Sequence, residues 1–393
     1  MLTLEKPQSR DSSNSRQENP RPARKKPARR LAEVAGCLLA TILLLLLLEG
    51  LASYTYFGRE LFSRTSPIVG GYTQFDSYLG WAAIPNVYIE NQFGPGVYFR
   101  SNSQGFRNDE DFSREIPGGK FRIVCSGDSF TMGFGVSNDR AWCSQLTRMD
   151  DRIQAVNMGQ AAYGIDQAYL WYERDGSKLD LDLHILAFIN DDFARMTFAS
   201  HWGYGKPILT IENGELAIKN VPVPHYNRLI PPLMDKMSSL NDLRTFKALS
   251  HVFHRVVPES GEKDYWKRQL ESLPVAFKIF QTLWQTHAQE KRLFVTVYLP
   301  SMADCFGDVA DDDKLRQAVD AQSRKTGPLF WDLTADCQQL PARTVRNMFF
   351  SAGELASYHL TDEGNLIIAG LLYRKMMETA EIAARLQRTD TKE

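Results

Sequence analysis

Apolar positions along the chain fall into three regimes. An uncharged stretch of 15 residues from Val34 to Leu48 contains six consecutive leucines, Leu43 to Leu48. Residues 58–120 alternate aromatics with Gly, Asn and Pro, as in Tyr78-Leu-Gly-Trp-Ala-Ala-Ile-Pro-Asn, and read as a turn-rich, strand-poor lead-in. From Phe121 the pattern changes to short apolar runs separated by longer helical stretches. Phe121–Cys125, Ile153–Asn157, Leu183–Ile189, Leu293–Leu299 and Leu329–Leu333 have the β-branched and aromatic make-up of strands buried on both faces. Ala141–Met149, Asp166–Lys178, Tyr265–Glu290, Asp313–Lys325 and Leu360–Leu386 read as helices. Pro274 predicts a kink or break in the third, and Asp311, Asp312 and Asp313 suit the N-terminus of the fourth. Strands alternating with helices predict an α/β fold, a three-layer α/β/α sandwich of about five parallel strands with right-handed crossovers.

The apolar run changes the picture of where this domain sits. Fifteen residues are short for a hydrocarbon core that wants about 20, but the run lengthens through Gly50 to Phe57 if Glu49 lies at the interface. Tyr54, Tyr56 and Phe57 then form an aromatic flank. Residues 1–30 carry nine basic and three acidic side chains, a net of +6, with few large apolar residues. They read as a disordered basic tail. Basic residues ahead of an apolar segment place the N-terminus in the cytoplasm and the main domain outside, periplasmic or extracellular. A cleaved signal peptide stays open, because Gly50-Leu51-Ala52 resembles a cleavage site, although the long basic region and aromatic flank favour a single-pass anchor. Val34-Ala35-Gly36-Cys37 spells a lipobox, but Cys37 begins the apolar run instead of ending it. The expected organisation is a tail (1–30), an anchor (31–57), a lead-in packed on the core (58–120) and an α/β domain (121–393).

Composition narrows the function classes. With 43% hydrophobic and 24% charged residues, the chain has the make-up of a globular protein. The body beyond residue 30 is mildly acidic, 37 basic against 44 acidic residues, and lacks the basic stripe that nucleic acid requires. Four cysteines remain outside the anchor: Cys125, Cys143, Cys305 and Cys337. Three pairings are open in an oxidising compartment, with Cys305–Cys337 preferred and Cys125 read as a buried small hydrophobe. After Leu183–Ile189 an insertion of about 193–262 precedes the next long helix. It holds two alternating runs joined by Asn213-Gly214, a hairpin signal, and reads equally as a lid over the site or as decoration.

Four segments carry the chemistry. Cys125-Ser-Gly-Asp-Ser-Phe follows a buried strand: Gly127 permits a tight turn, Asp128 ties it, and Ser129 opens the next helix among free N–H groups. Thr131 stands where a Gly-x-Ser-x-Gly elbow would need glycine. Gly159 in Val156-Asn-Met-Gly offers a close backbone N–H. Asn190 in Ile189-Asn190-Asp191 offers a side-chain amide to a developing oxyanion, worth about 2.7–4 kcal/mol. His359 in Tyr358-His359-Leu-Thr-Asp-Glu-Gly364 offers a general base.

In this order, from Phe121 to the end of the chain, the blocks resemble the SGNH hydrolases, also called GDSL lipases or esterases. The lead-in, with Gly80-Trp81 and Asn102-Ser-Gln-Gly-Phe-Arg107, looks like that of membrane-anchored bacterial members. The resemblance implies an SGNH, flavodoxin-like fold. It also implies Ser129 as nucleophile, His359 as base, and an oxyanion hole of Ser129, Gly159 and Asn190. Two departures stand out. Phe188 occupies a position usually glycine, which would narrow the pocket. Ala356 occupies the position of the triad acid, three residues before the histidine. Glu354 from a shifted loop, a backbone carbonyl or Ser357 could orient the imidazole instead.

The resulting expectation is a membrane-tethered, extracytoplasmic serine esterase or O-acyl transferase. Its implied substrate is an O-acyl, above all O-acetyl, ester of an envelope or exported glycan. The alternative is a catalytically weak or inactive member that binds or helps assemble glycans, and membership of a membrane biosynthetic complex is a third reading. No metal or other cofactor is implied. His251 and His254 lack completing ligands, Asp304, Asp308 and Asp311–Asp313 lack the spacing of a calcium loop, and no phosphate-cradling glycine loop occurs. Trp266, Leu270, Leu273, Phe277, Phe280 and Trp284 are spaced as the core face of one helix.

Overall fold

The computed structural model describes residues 27–62, 71–201, 204–223, 245, 261–307 and 310–388. Helix α1 (Pro27–Phe62) opens the described chain. It takes in the last four residues expected for the tail and runs on beyond Phe57, because the aromatic flank continues the helix. Its segment Leu31–Ala52, 22 residues, is long and apolar enough to cross a membrane. Leu38, Leu43, Leu47 and Leu51 are exposed among the described residues. Of the segment's two carboxylates, Glu33 and Glu49, the second is buried, and it accepts hydrogen bonds from Thr245 N at 2.8 Å and Thr245 Oγ1 at 2.6 Å.

The lead-in holds two small antiparallel pairs, β1 (Thr73–Asp76) with β2 (Gly80–Ala83) and β3 (Tyr88–Ile89) with β4 (Phe99–Arg100). The turns are set by asparagines and glycines with positive φ, among them Asn86, Asn91, Gly94 and Gly96. Then come β5 (Phe121–Gly127), α2 (Ser129–Met132), α3 (Trp142–Met149), β6 (Ile153–Gly159), α4 (Ile165–Arg174), β7 (Leu183–Phe188) and α5 (Asn190–Arg195). The insertion contributes β8 (Ser200–His201), β9 (Tyr204–Gly205), β10 (Ile208–Glu212) and β11 (Glu215–Lys219). The last two form the expected hairpin, closed by Asn213 at φ 52° and Gly214 at φ 83°. The remainder is α6 (Gly261–Gln289), β12 (Leu293–Tyr298), α7 (Met302–Phe306), α8 (Ala310–Thr326), β13 (Leu329–Asp332), α9 (Thr334–Gln338), α10 (Ala342–Asn347), α11 (Asp362–Glu378) and α12 (Ala380–Gln387).

The main sheet has five parallel strands in the order β13-β12-β7-β5-β6. Alternate side chains feed two cores, one on each face. Val124, Val156, Leu186 and Phe294 meet Ile165, Ile279, Leu283 and Leu315 on one side, where Tyr72, Trp81, Phe99 and Phe106 of the lead-in join them. Ile123, Ile153, Ile185 and Val295 meet Leu146, Ile368, Leu372, Ile382 and Leu386 on the other. The chain leaves β5 toward β6 on one side and returns to β7 on the other. A crevice therefore opens at the carboxyl ends of β5 and β7, where such sheets bind ligands.

Several expected details change. The closing helix is broken at Thr379, which is extended (φ −88°, ψ 101°). Helix α6 runs continuously with Pro274 inside it. Its buried stripe is Ala276, Ile279, Phe280, Leu283 and His287, whereas Leu270 is exposed. Leu273, Phe277 and Trp284 pack partly buried against the same core as Phe280, so among the described side chains the expected face is met except at Leu270. Cys305 and Cys337 are free thiols, not a disulfide. They sit side by side, and the Cys337 hydrogen bond, then burial, raises the Cys305 thiol well above its usual range. Cys125 is fully buried beside Cys143, as a small hydrophobe would be. His251, His254, the Trp266 side chain and residues 1–26 lie outside the described residues.

Candidate active site

Strand β5 ends at Gly127, where nothing larger fits. A Cβ there would lie 2.4 Å from Ala187 O and 2.3 Å from Thr131 Oγ1. Asp128 then caps α2, its Oδ1 accepting from Phe130 N at 2.9 Å, and Ser129 is the first helical residue. Four residues later Gly133, at φ 82°, ends the helix in a left-handed cap. Strand, cap and stop hold the Ser129 hydroxyl at the carboxyl edge of the sheet.

His359 arrives from the far end of the chain. Its Nε2 is 2.9 Å from Ser129 Oγ, across 230 residues of sequence. The ring lies between Phe130 and Phe134, with centroids 5.0 and 4.9 Å away. Its Nδ1 is 3.2 Å from Ser357 O. A carbonyl only accepts, so this contact places the proton on Nδ1 and leaves the Nε2 lone pair facing Ser129. Burial lowers the imidazole's pKa, while the Asp128 charge and the carbonyls of Ser357 and Ala356 oppose the shift. The result is an imidazole biased toward its neutral form with its proton on Nδ1.

Of the residues proposed as orienting groups, Ser357 acts at the imidazole through its carbonyl. Its hydroxyl donates to Glu354 O at 2.5 Å and accepts from Gly353 N at 3.0 Å. The Glu354 carboxylate accepts from Ser351 N on the exposed loop. Ala356 is buried against Gly135, where a Cβ would come within 2.4 Å of the alanine's own.

Asn190 opens α5 directly after β7. It lines a cavity of about 450 Å³ together with His359, Phe130, Tyr298, Met302 and Tyr358. Phe188 does not narrow that cavity: it turns into the core, stacked on Phe280 at 5.5 Å and edge-on to Phe193 at 5.3 Å. Gly159 sits beneath α2, where a Cβ would fall 2.0 Å from Met132 N. Its N–H donates to Asn157 Oδ1 at 2.9 Å. This corrects the expectation of an oxyanion donor, since that N–H is occupied and the glycine serves close approach of strand and helix.

Sequence reasoning missed the charged groups behind the serine. Arg195 Nη1 contacts Asp128 Oδ2 at 3.2 Å, Asp192 Oδ1 at 2.6 Å and Tyr163 O at 3.1 Å. Burial, then the Asp128 charge, drives the Asp192 carboxyl well above the usual range. The lead-in motif also has a visible purpose. Arg107 is buried with its guanidinium on the carbonyls of Met132, Gly133 and Val136 at 2.5 Å each, so it grips the end of α2 and the loop bearing Phe134. Trp81 Nε1 donates to Ala161 O at 3.0 Å, and Tyr163 donates back to Trp81 O at 2.5 Å. The signal for Arg107 was an arginine within an otherwise uncharged, turn-forming motif.

The site resembles that of the SGNH hydrolases. Ser129, Asn190 and His359, from three separate blocks, meet at the crevice in the roles' expected order along the chain. No family model matches this chain, and no curated protein matches it. Among solved structures the chain is similar to a member of the lipolytic protein G-D-S-L family from Veillonella parvula (13% identity, 64% of this chain and 94% of that one, TM-score 0.33). It is also similar to the acetyl xylan esterase AlAXEase (13%, 65% and 99%, TM-score 0.36). A third is a lipase/acylhydrolase from Enterococcus faecalis (11%, 65% and 95%, TM-score 0.35). Among the described residues, no group of three or more His, Cys, Asp or Glu side chains could hold a metal ion.

Proposed function

We propose that the protein is a membrane-tethered, extracytoplasmic serine esterase of the SGNH type that acts on O-acyl esters. The observation that carries this reading is the 2.9 Å contact between Ser129 Oγ and His359 Nε2, with Nδ1 turned to a carbonyl. In the first half-reaction Ser129 Oγ bonds to the acyl carbon while its proton passes to Nε2 and the carbonyl electrons move onto oxygen. The Ser129 N–H, at the head of α2, and the Asn190 amide are the donors for that oxyanion. The intermediate collapses as the imidazolium protonates the departing alcohol oxygen. Water then repeats the cycle on acyl-Ser129 and releases the acid, and a sugar hydroxyl in place of water would make the product a new ester.

The substrate in this proposal is an O-acetyl ester on an envelope or exported glycan. It is supported by the resemblance of the four blocks and by an N-terminal helix that can span a membrane with its basic end inside. Ala356 favours a second reading, a weak or inactive member that binds glycan. Full-length protein in detergent separates the two. The esterase reading expects fluorophosphonate labelling and hydrolysis of p-nitrophenyl acetate, both abolished in Ser129→Ala. Equal turnover in that variant, or no labelling of the wild type, would refute it.

A further inference from the structure

The imidazole of His359 is oriented by a carbonyl, and a carbonyl carries no net charge to offset the imidazolium that forms when Ser129 gives up its proton. The usual remedy is missing here. Position 356 holds alanine, buried where a Cβ added at Gly135 would come within 2.4 Å of its own Cβ, so the carboxylate is absent. Glu354 is turned away to Ser351 N. The charged groups facing the ring come from two elements. Arg195 and Asp191 on α5 line its cavity, Asp191 with half its side chain in water, and Asp128 stands at the head of α2. Asp128 is 1% exposed, and its Oδ2 lies 3.4 Å from Ser129 Oγ.

We propose that Asp128 replaces the missing triad acid as the counter-charge of His359, acting across the nucleophile instead of behind Nδ1. This rests on the esterase reading and deepens it. The carboxylate is held for that purpose by two contacts. Phe130 N donates to Oδ1 and Arg195 holds Oδ2, with Ser129 Oγ 3.4 Å from that oxygen while its proton faces His359. The carboxylate accepts no proton in the cycle: the proton moves between Ser129 Oγ, His359 Nε2 and the leaving oxygen. Its contribution is Coulombic, made by a carboxylate that is itself buried, where such terms are larger than in water. Arg195 both fixes Asp128 and tempers its charge, and pairing with Asp192, held toward its neutral form, leaves part of the guanidinium's charge for Asp128.

Asn and Ser both cap helices as Asp does, so Asp128→Asn and Asp128→Ser remove the charge and keep the cap. The full-length protein in detergent, labelled with ¹³C at histidine, reports the His359 titration by NMR without needing turnover; His359→Asn assigns the signal. The proposal expects the titration to move down by about one pH unit in both variants, with the acid limb of kcat/KM for p-nitrophenyl acetate moving alongside. It also expects kcat to fall at least tenfold while KM holds. An unmoved His359 titration in either folded variant overturns the counter-charge and leaves the esterase reading standing. Loss of fluorophosphonate labelling in the wild type would instead strike the esterase reading itself.

Discussion

Lys206 Nζ lies 2.7 Å from Asp166 Oδ2, with the lysine side chain 1% exposed and the aspartate fully buried. The same ammonium donates to Arg195 O at 2.7 Å. An insertion that reads as optional in the sequence is thereby pinned beneath the helix that carries Asn190 and Arg195. At Gly80, where a Cβ would sit 2.4 Å from Gly205 O, the lead-in closes over the same segment.

Breaking that pair leaves one buried charge uncompensated, which costs about 3–5 kcal/mol. Lys206→Met should lower the urea midpoint by that measure, and Lys206→Met with Asp166→Leu should recover most of it. Additive losses in the double variant would show that the pair is not coupled.

The base and its neighbour make opposite predictions. His359→Asn should reduce kcat/KM for p-nitrophenyl acetate by about 10²–10⁴-fold, the usual contribution of a general base. Glu354→Gln should leave it within about twofold, because that carboxylate binds Ser351 N and not the imidazole. A large loss in Glu354→Gln would reinstate it as the orienting acid.

Gly159 tests close packing. An added methyl meets the backbone of α2 at Met132 N, which has no rotamer with which to yield. Gly159→Ala should cost about 1–3 kcal/mol, as overpacking does, and should slow fluorophosphonate labelling of Ser129 by displacing its helix. Wild-type melting and labelling in this variant would mean the strand and helix can part.

Acid should weaken the fold. Ser126 Oγ is 2.8 Å from His184 Nε2, and His184 Nδ1 is 3.0 Å from His287 Nε2, all sealed behind the sheet. Burial depresses both imidazoles, His287 to about 3. The unfolded chain binds these protons near pH 6.5 and the folded one does not. Their stabilisation is therefore complete above that pH and drains away as pH falls toward 3. His287 alone should remove about 2 kcal/mol between pH 7 and pH 5, readable as a falling urea midpoint that His287→Phe flattens.

Much of this was legible because it is local. Strand–turn–helix around Gly127-Asp128-Ser129 needs only a buried run, a glycine and a capping side chain, and Asn213-Gly214 specifies its hairpin by itself. The core face of α6 was legible in its spacing, except at Leu270, which is exposed because periodicity does not say how far along the helix its neighbours reach. Phe188 looked like a pocket wall because its place in a motif says nothing of which side of the strand it takes. Cys305 and Cys337 are neighbours, as expected, yet proximity does not make a bond.

The order of apolar runs, the four blocks and the long apolar segment near the N-terminus were settled by the chain's own pattern, since each depends on residues adjacent in sequence. Which nitrogen of His359 faces Ser129, that Gly159 has already given away its N–H, and that Arg195 gathers Asp128 and Asp192 were decided by folding alone. His359 and Ser129 are 230 positions apart and Arg195 and Asp128 are 67 apart. Even the short-range pairs, Gly159 with Asn157 and Arg195 with Asp192, take their geometry from the packing around the sheet.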